Sequence, residues 1–227
     1  MAHRGFDPLE IPNYGPQEAV KFLHIPSSTL HYWLQPSIGL VRPADPRRGL
    51  LSFKNLVECY VLEGLRVIHG VHIGAVRKAV DYLQRTLGSR HPLADYELKT
   101  DGAHVFFSHQ GLNLNATLQG QIGLSAILES YLRRIERDFT RNAWVLYPFM
   151  RLDQMRSEGE KPRIVSLNPN VCFGMPVLTG TRIRTAILAS RYLGGDTLQL
   201  LARSYDRPES EIAEAISWET GKERIAA

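Results

Sequence analysis

Apolar residues recur at three- and four-residue steps through much of this chain, and the breaks between those runs say most about it. In Gln17–Leu34, QEAVKFLHIPSSTLHYWL, residues Ala19, Val20, Phe22 and Leu23 give a first helix one apolar stripe. His24-Ile25-Pro26 is a short break. Ser27 or Ser28 can then cap a second helix whose inward side is Leu30, Trp33 and Leu34. Ser28, Thr29, His31, Tyr32 and Gln35 are left outside. A short helix that opens on small hydroxyl residues and carries hydrogen-bonding side chains suits a major groove, with the first helix crossing the backbone. The same pattern would also serve an ordinary helical hairpin in a core.

The next segment, QPSIGLVRPADPRRGLLSF, is broken by Gly39, Pro43, Pro46 and Gly49, which predicts a loop or small β-hairpin. Arg42, Arg47 and Arg48 are poorly placed for a core there; beside a helix-turn-helix they can touch phosphates or reach a minor groove. Phe53, Leu56, Val57, Tyr60, Val61 and Leu65 then predict a helix with one buried stripe. Past Gly70, the spacing of Ile73, Val76, Val80, Leu83 and Leu87 predicts another, ended by Gly88, with Arg77 and Lys78 off the stripe.

From Ala94 the period changes. Tyr96, Leu98, Asp101-Gly102 and Val105-Phe106-Phe107 read as a hairpin with a glycine turn, and Leu112, Leu114 and Ala116 as a further strand. Ile127, Leu128, Tyr131, Leu132, Ile135 and Phe139 return to helix spacing, and Trp144–Phe149 reads as a strand. The polar run Asp153–Arg163 is a linker. Beyond it, an extended segment with turns at Gly174, Pro176 and Gly180 precedes three helices, Ile183–Leu193, Leu198–Tyr205 and Ser210–Trp218. Asp196 or Thr197 can cap the second of these, and Pro208 fits the first turn of the third. Such a unit buries little alone, so Trp218 and the 164–180 arm are expected to pack against another copy or a partner protein.

Composition adds bounds. With 227 residues, 44% of them hydrophobic, the chain can hold a real core and more than one domain. A net charge of +4 permits a nucleic-acid partner without demanding one. The basic excess concentrates around Arg133, Arg134, Arg137 and Arg141, which fit the solvated face of a helix. Cys59 and Cys172 stand alone in apolar surroundings, so free buried thiols in a reducing cytosol are expected. The N-terminus lacks signal-peptide character and no run approaches a membrane span, which points to a cytoplasmic protein without a membrane partner.

Chemistry is sparse. The sequence carries no phosphate loop, zinc motif, nucleophile elbow or dinucleotide fingerprint. His69 and His72 are three apart, but Gly70 makes their helix a poor metal scaffold. Glu136 and Asp138 sit among arginines, as salt-bridge partners rather than nuclease carboxylates, since two-metal chemistry needs several converging acids. GMPVLTGTR, residues 174–182, is dense in special residues but lacks the lysine and spacing of a nucleotide cradle. No enzymatic activity, cofactor or metal is expected.

Two family resemblances meet in these residues. The helix-turn-helix, the GLVRPADPRRGLLSF segment and the helices beginning at Asn55 and Ile73 resemble the MerR-type winged helix across residues 14–87. Leu51-Ser52-Phe53-Lys54-Asn55-Leu56 occupies the place of that family's YSxxDL, with Asn55 where the acid is usual. The wing's glycine-tyrosine-arginine becomes Arg48-Gly49-Leu50. Residues 162–219 are similar to a small domain of VapB-type antitoxins. Its marks are Asn168-Pro169, Gly174-Met175-Pro176, Gly180-Thr181-Arg182, a glycine before Asp196, an Ala202 and Tyr205 helix, and a closing Ala215-Ile216 helix.

The resemblances imply a mainly α fold with a small β component. A MerR-like winged helix-turn-helix over 12–90 precedes a mixed strand and helix middle region over 91–152. The linker, 153–163, then leads to a three-helix, helix-turn-helix-like domain over 164–221. They imply an antitoxin that binds and neutralises a PIN-like ribonuclease toxin and represses its own operon. Ser27, Ser28, Thr29, His31, Tyr32, Gln35, Arg42, Arg47 and Arg48 would contact operator DNA. PIN-type sites are acidic, so Arg163, Arg182 and Arg184 are the toxin-binding candidates. A homodimer joined through the middle region, or a heterotetramer and larger assembly with toxin, would follow. The alternative is a stand-alone MerR-like transcriptional regulator without a toxin.

Overall fold

A computed structural model describes residues 7–67, 73–95, 129–138, 143–149 and 162–221, which fall into two compact units, 1–135 and 136–227. Helices dominate, with small antiparallel sheets. The hairpin expected from Tyr96 onward and nearly all of the 153–163 linker lie outside the described residues.

In the first unit α1 is Pro16–Leu23 and α2 is Ser27–Leu34. Pro16 at the first helical position needs no intrahelical acceptor, and Glu18 Oε2 accepts from the Gly15 N–H at 2.8 Å. At the other end His24 takes a left-handed conformation, φ 52°, and the Ile25 N–H reaches back to the Val20 carbonyl. Neither serine caps α2. Pro26 holds the extended N-cap position, φ −61° and ψ 137°, and its carbonyl accepts from Thr29 and Leu30. The proline ring fixes φ at the entry, and Ser27 and Ser28 follow as the first two helical residues, both exposed. Ala19, Phe22, Leu23, Ile25, Leu30 and Trp33 are all buried.

The segment after α2 returns as a small hairpin. Asp45 and Leu50 exchange backbone hydrogen bonds across the turn 46–49, and Leu51 pairs with Tyr14. Helix α3, Phe53–Val67, opens with Ser52 Oγ accepting from the Asn55 N–H at 3.2 Å. The expected stripe of Phe53, Leu56, Val57, Tyr60, Val61 and Leu65 is buried, but so is everything else from Asn55 to Leu65. It is a central helix rather than an amphipathic one, and Asn55, Glu58 and Glu63 are buried with it. Helix α4, Ile73–Leu87, buries Val76 and Val80 and exposes Arg77 and Lys78; Ile73, expected inward, is 39% exposed. The single turn α5, Pro92–Asp95, presents Leu93 and Ala94 to the interior and packs on α3.

The helix expected to run on to Phe139 stops early. Residues 129–132 are helical, and Ile135–Asp138 is a strand, β1, paired with β2, Ala143–Leu146. Tyr131, Leu132 and Ile135 satisfy helical spacing for one turn only, and the pairing with β2 decides the rest. Nor is the arginine cluster simply a solvated face: Arg134 is 4% exposed, and Arg137 stacks over the Trp144 ring at 5.2 Å.

In the second unit Leu146, at the end of β2, forms an antiparallel bridge with Leu167, the residue after β3, Val165–Ser166, which itself pairs with β4, Val177–Leu178. Three helices follow: α6, Thr185–Leu193; α7, Leu198–Tyr205; and α8, Glu209–Thr220. Thr197 is the cap of α7, its Oγ1 accepting from the Leu200 N–H at 3.2 Å, while Asp196 pairs with Arg191. Pro208 stands one step before α8 as its N-cap. Leu188, Leu201, Ile212, Ala215 and Ile216 form the core with Leu178. Trp218 is only 2% exposed, so the chain buries it without a second copy or a partner. Cys59 is buried, whereas Cys172 is half-buried with its Sγ donating to the Arg182 carbonyl.

The bend between α7 and α8 repeats the one between α1 and α2. Each joins an eight-residue helix to a left-handed residue (His24, Asp206; both φ 52°), one further residue and an N-cap proline. In each, the residue before the proline donates back to a carbonyl of the first helix (Val20, Ala202), and the proline carbonyl closes the next turn.

Candidate nucleic-acid interface and a cleft in the second unit

Burying Leu30 and Trp33 fixes the rotation of α2. Ser27, Ser28, His31 and Tyr32 are exposed, and Thr29 and Gln35 are half-buried at its edges. The six positions expected to meet DNA therefore lie off the packed side of one helix, a surface rich in hydroxyl, imidazole and amide groups and free of carboxylates. Arg42, Arg47 and Arg48 are exposed on the neighbouring hairpin. Asp45 Oδ1 accepts from the backbone N–H of Arg47 at 3.0 Å and of Arg48 at 3.2 Å, a local turn that sets where both side chains leave the backbone. The Val41 N–H bonds to the Trp33 carbonyl at 3.2 Å, tying this loop to the end of α2.

Beneath the loop lies a buried polar cluster that the sequence pattern does not single out. Asn55 Oδ1 accepts from the Ala44 N–H at 3.0 Å and the Ser52 N–H at 3.1 Å; its Nδ2 donates to the Arg42 carbonyl at 3.0 Å and to Glu58 Oε2 at 3.2 Å. His91 stands between Glu58 (Nδ1, 3.0 Å) and Glu10 (Nε2, 3.0 Å). Lys54 Nζ bonds to Glu10 at 2.9 Å and pairs with Asp95 at 3.0 Å. Burial alone lowers the His91 pKa, but the two carboxylates outweigh it and the net shift is upward; burial raises that of Glu58. The legible signal is Asn55 and Glu58, polar residues one turn apart beside the apolar stripe of α3.

In the second unit strand alternation separates two faces. Trp144, Leu146, Val165, Leu167 and Leu178 are buried on one. Val145, Tyr147, Ser166, Asn168, Val177 and Thr179 line an open cleft of about 490 Å³ on the other, with Gly180, Thr181 and Arg182 at its edge. Gly180, at φ 76°, makes the turn that brings Arg182 there. Of the three candidate arginines, Arg182 is exposed and lines the cleft. Arg163 stacks on the Tyr147 ring at 4.8 Å and pairs with Glu136. Arg184 is exposed at the N-cap of α6, on the segment that bridges Val177. Among the described residues no group of three or more His, Cys, Asp or Glu side chains is placed to hold a metal ion, and no helix is long and apolar enough to cross a membrane.

Residues 165–218 match a family model described as "Protein of unknown function (DUF433)". The chain is 27% identical over 235 aligned residues to a Mycobacterium tuberculosis protein named "Putative antitoxin VapB45", covering 92% of this chain and 94% of that one. It is also similar to the X-ray crystal structure of Rv2018 from Mycobacterium tuberculosis, at a TM-score of 0.68 and 25% identity, covering 91% of this chain and 98% of that one. The relationship to a VapB-type protein thus extends over nearly the whole chain, well beyond the segment that the family model matches.

Proposed function

We propose that this chain is an antitoxin of the VapB type that binds and neutralises a PIN-like ribonuclease toxin and represses its own operon by binding DNA. The observation that carries the reading is the end-to-end similarity to the protein named for a VapB antitoxin. The first unit supplies the chemistry for DNA. In this reading α1–α2 is a MerR-like helix-turn-helix, with Ser27, Ser28, Thr29, His31, Tyr32 and Gln35 entering a major groove. The 42–50 hairpin is the wing, with Arg42, Arg47 and Arg48 on phosphates or in the minor groove. A homodimer would set two such helices in successive grooves and make the operator symmetric. Toxin is held by the second unit, where an acidic, metal-holding active site would meet Arg182, with Arg184 two residues on and Arg163 stacked on Tyr147 of the same cleft.

Co-expression with the adjacent reading frame, followed by purification and a shift of the promoter fragment, tests both halves. A stable complex that shifts its own promoter is expected. A chain that shifts the fragment but captures no neighbour is instead a stand-alone regulator, and one that captures a toxin without shifting the fragment loses the repressor half.

A further inference from the structure

Asn55 has two amide hydrogens, and both are committed: one to the Arg42 carbonyl of the wing, one to Glu58 Oε2. A third acceptor waits beside them, because His91 Nδ1 lies 3.3 Å from the same Nδ2. Whether Nδ1 accepts depends on its proton. Each ring nitrogen of His91 is 3.0 Å from a carboxylate oxygen, of Glu58 and of Glu10. A bare imidazole nitrogen cannot bond to an ionised carboxylate, since both offer only lone pairs. The geometry therefore requires either protons on both ring nitrogens, or one on the ring and one on the carboxyl that faces the bare nitrogen. Both distributions hold one proton more than a neutral imidazole between two carboxylates.

The surroundings favour keeping it. Glu10 from the N-terminal segment and Asp95 from α5 pair with one ammonium, that of Lys54, while Glu58 from α3 pairs with His91, so the shared proton supplies the second positive charge among three carboxylates. Glu63, also buried in α3, adds no positive charge. His91 is 3% exposed and Glu58 1%, so water cannot screen the mismatch that its loss would create.

We infer that the wing is latched by this shared proton, and that the chain's grip on DNA is released as pH rises. When the cluster loses the proton and the ring's remaining hydrogen stays on Nε2 against Glu10, Nδ1 is a bare acceptor beside the Glu58 carboxylate. Three acceptors then compete for two Asn55 hydrogens. The bond to the Arg42 carbonyl is the link outside the cluster, and it is the one given up. The loop carrying Arg42, Arg47 and Arg48 then loosens from α3. The consequence for DNA rests on the function proposed above; the latch itself does not.

The test uses the full chain between pH 6 and pH 9, with two independent readouts. The first is the hydrogen-exchange protection factor of the Ala44 and Ser52 amides, which donate to Asn55 Oδ1. It should fall with rising pH in the natural chain and lie flat in His91→Gln, which cannot titrate. Should that variant fail to fold, Glu58→Gln serves: a latch moves the midpoint of the fall to lower pH, whereas a merely structural role lowers protection equally at every pH. The second is affinity for the promoter fragment, measured in the natural chain and in His91→Gln, so that the difference in pH slope between them reports His91 alone. The natural chain's affinity should fall more steeply with pH, by up to about tenfold per pH unit, the bound for one proton, and that extra slope should be absent from His91→Gln. Protection that stays constant with pH in the natural chain overturns the latch. Falling protection with no fragment bound at any pH keeps the latch and removes the DNA reading.

Discussion

A β-carbon on Gly64 would stand 2.8 Å from Cγ of Tyr131 and 3.2 Å from its Cβ. Those atoms lie at the root of a fully buried side chain, whose ring is tilted onto Tyr60 at 4.8 Å between centroids, so the ring cannot swing clear. In a helix interior, glycine to alanine ordinarily gains up to about 1 kcal/mol. Here overpacking wins: Gly64→Ala should cost a net of about 1–2 kcal/mol, read as a lower urea midpoint with an unchanged slope.

Two histidines give the stability profile opposite limbs. Burial lowers the His24 pKa from 6.5 to about 4, so the fold prefers its neutral form. That contribution is full above the unfolded value and is lost as pH falls from about 6.5 through 4, by at most roughly 3 kcal/mol. His91 is shifted the other way, so its contribution is full below 6.5 and is lost as pH rises through a folded value above that. Stability against urea should peak between the two, His24→Asn should flatten the acid limb, and His91→Gln the alkaline one.

Arg47→Ala with Arg48→Ala should weaken binding to every DNA sequence alike and lower the salt slope by about 0.9 for each phosphate that is no longer neutralised. Both side chains are exposed, so the melting temperature should barely move. An unchanged salt dependence would remove the wing from the interface. Thr29→Ala or His31→Ala should instead alter which promoter variants are preferred, with a change of about 1–3 kcal/mol at the affected base pair.

Arg182→Glu reverses a charge at the edge of the second unit's cleft without touching its core. Capture of the co-expressed neighbour should drop by at least about tenfold while thermal stability and promoter binding stay as they were. Arg163→Glu is the harsher change, since it also breaks the Tyr147 stack and the Glu136 pair; some loss of stability should accompany it. If neither variant affects capture, the partner is held elsewhere.

Local spacing makes most of the helices legible, because a stripe such as Ala19, Phe22, Leu23 or Leu198, Leu201, Ala202 needs only its own neighbours to be recognised. The exposed surface of α2 is legible for the same reason: once Leu30 and Trp33 point inward, the positions around them point out. What spacing does not carry is burial contributed from far away. Tyr131 and α5 cover sides of α3 that look solvated in isolation, so Glu58 and Glu63 pass for surface residues in the sequence. The Asn55 cluster gathers Glu10, Glu58 and His91, separated by dozens of residues, and no local window contains all three. β1 is hidden because the strand that recruits it is the cause of its conformation. Trp218 reads as outward-facing only because so short a unit promises a smaller interior than it has.

The chain uses one bend twice and gives it opposite surfaces. Where α2 opens on Ser27, Ser28 and Thr29, the matching helix α8 opens on Glu209, Ser210 and Glu211, and Ala213 and Glu214 stand where α2 has His31 and Tyr32. One copy presents hydroxyls and an imidazole, the other carboxylates, of which Glu211 is already paired with Arg207. The bend thus fixes where a helix begins and leaves its surface to the residues that follow, so a shared backbone here does not make a shared surface.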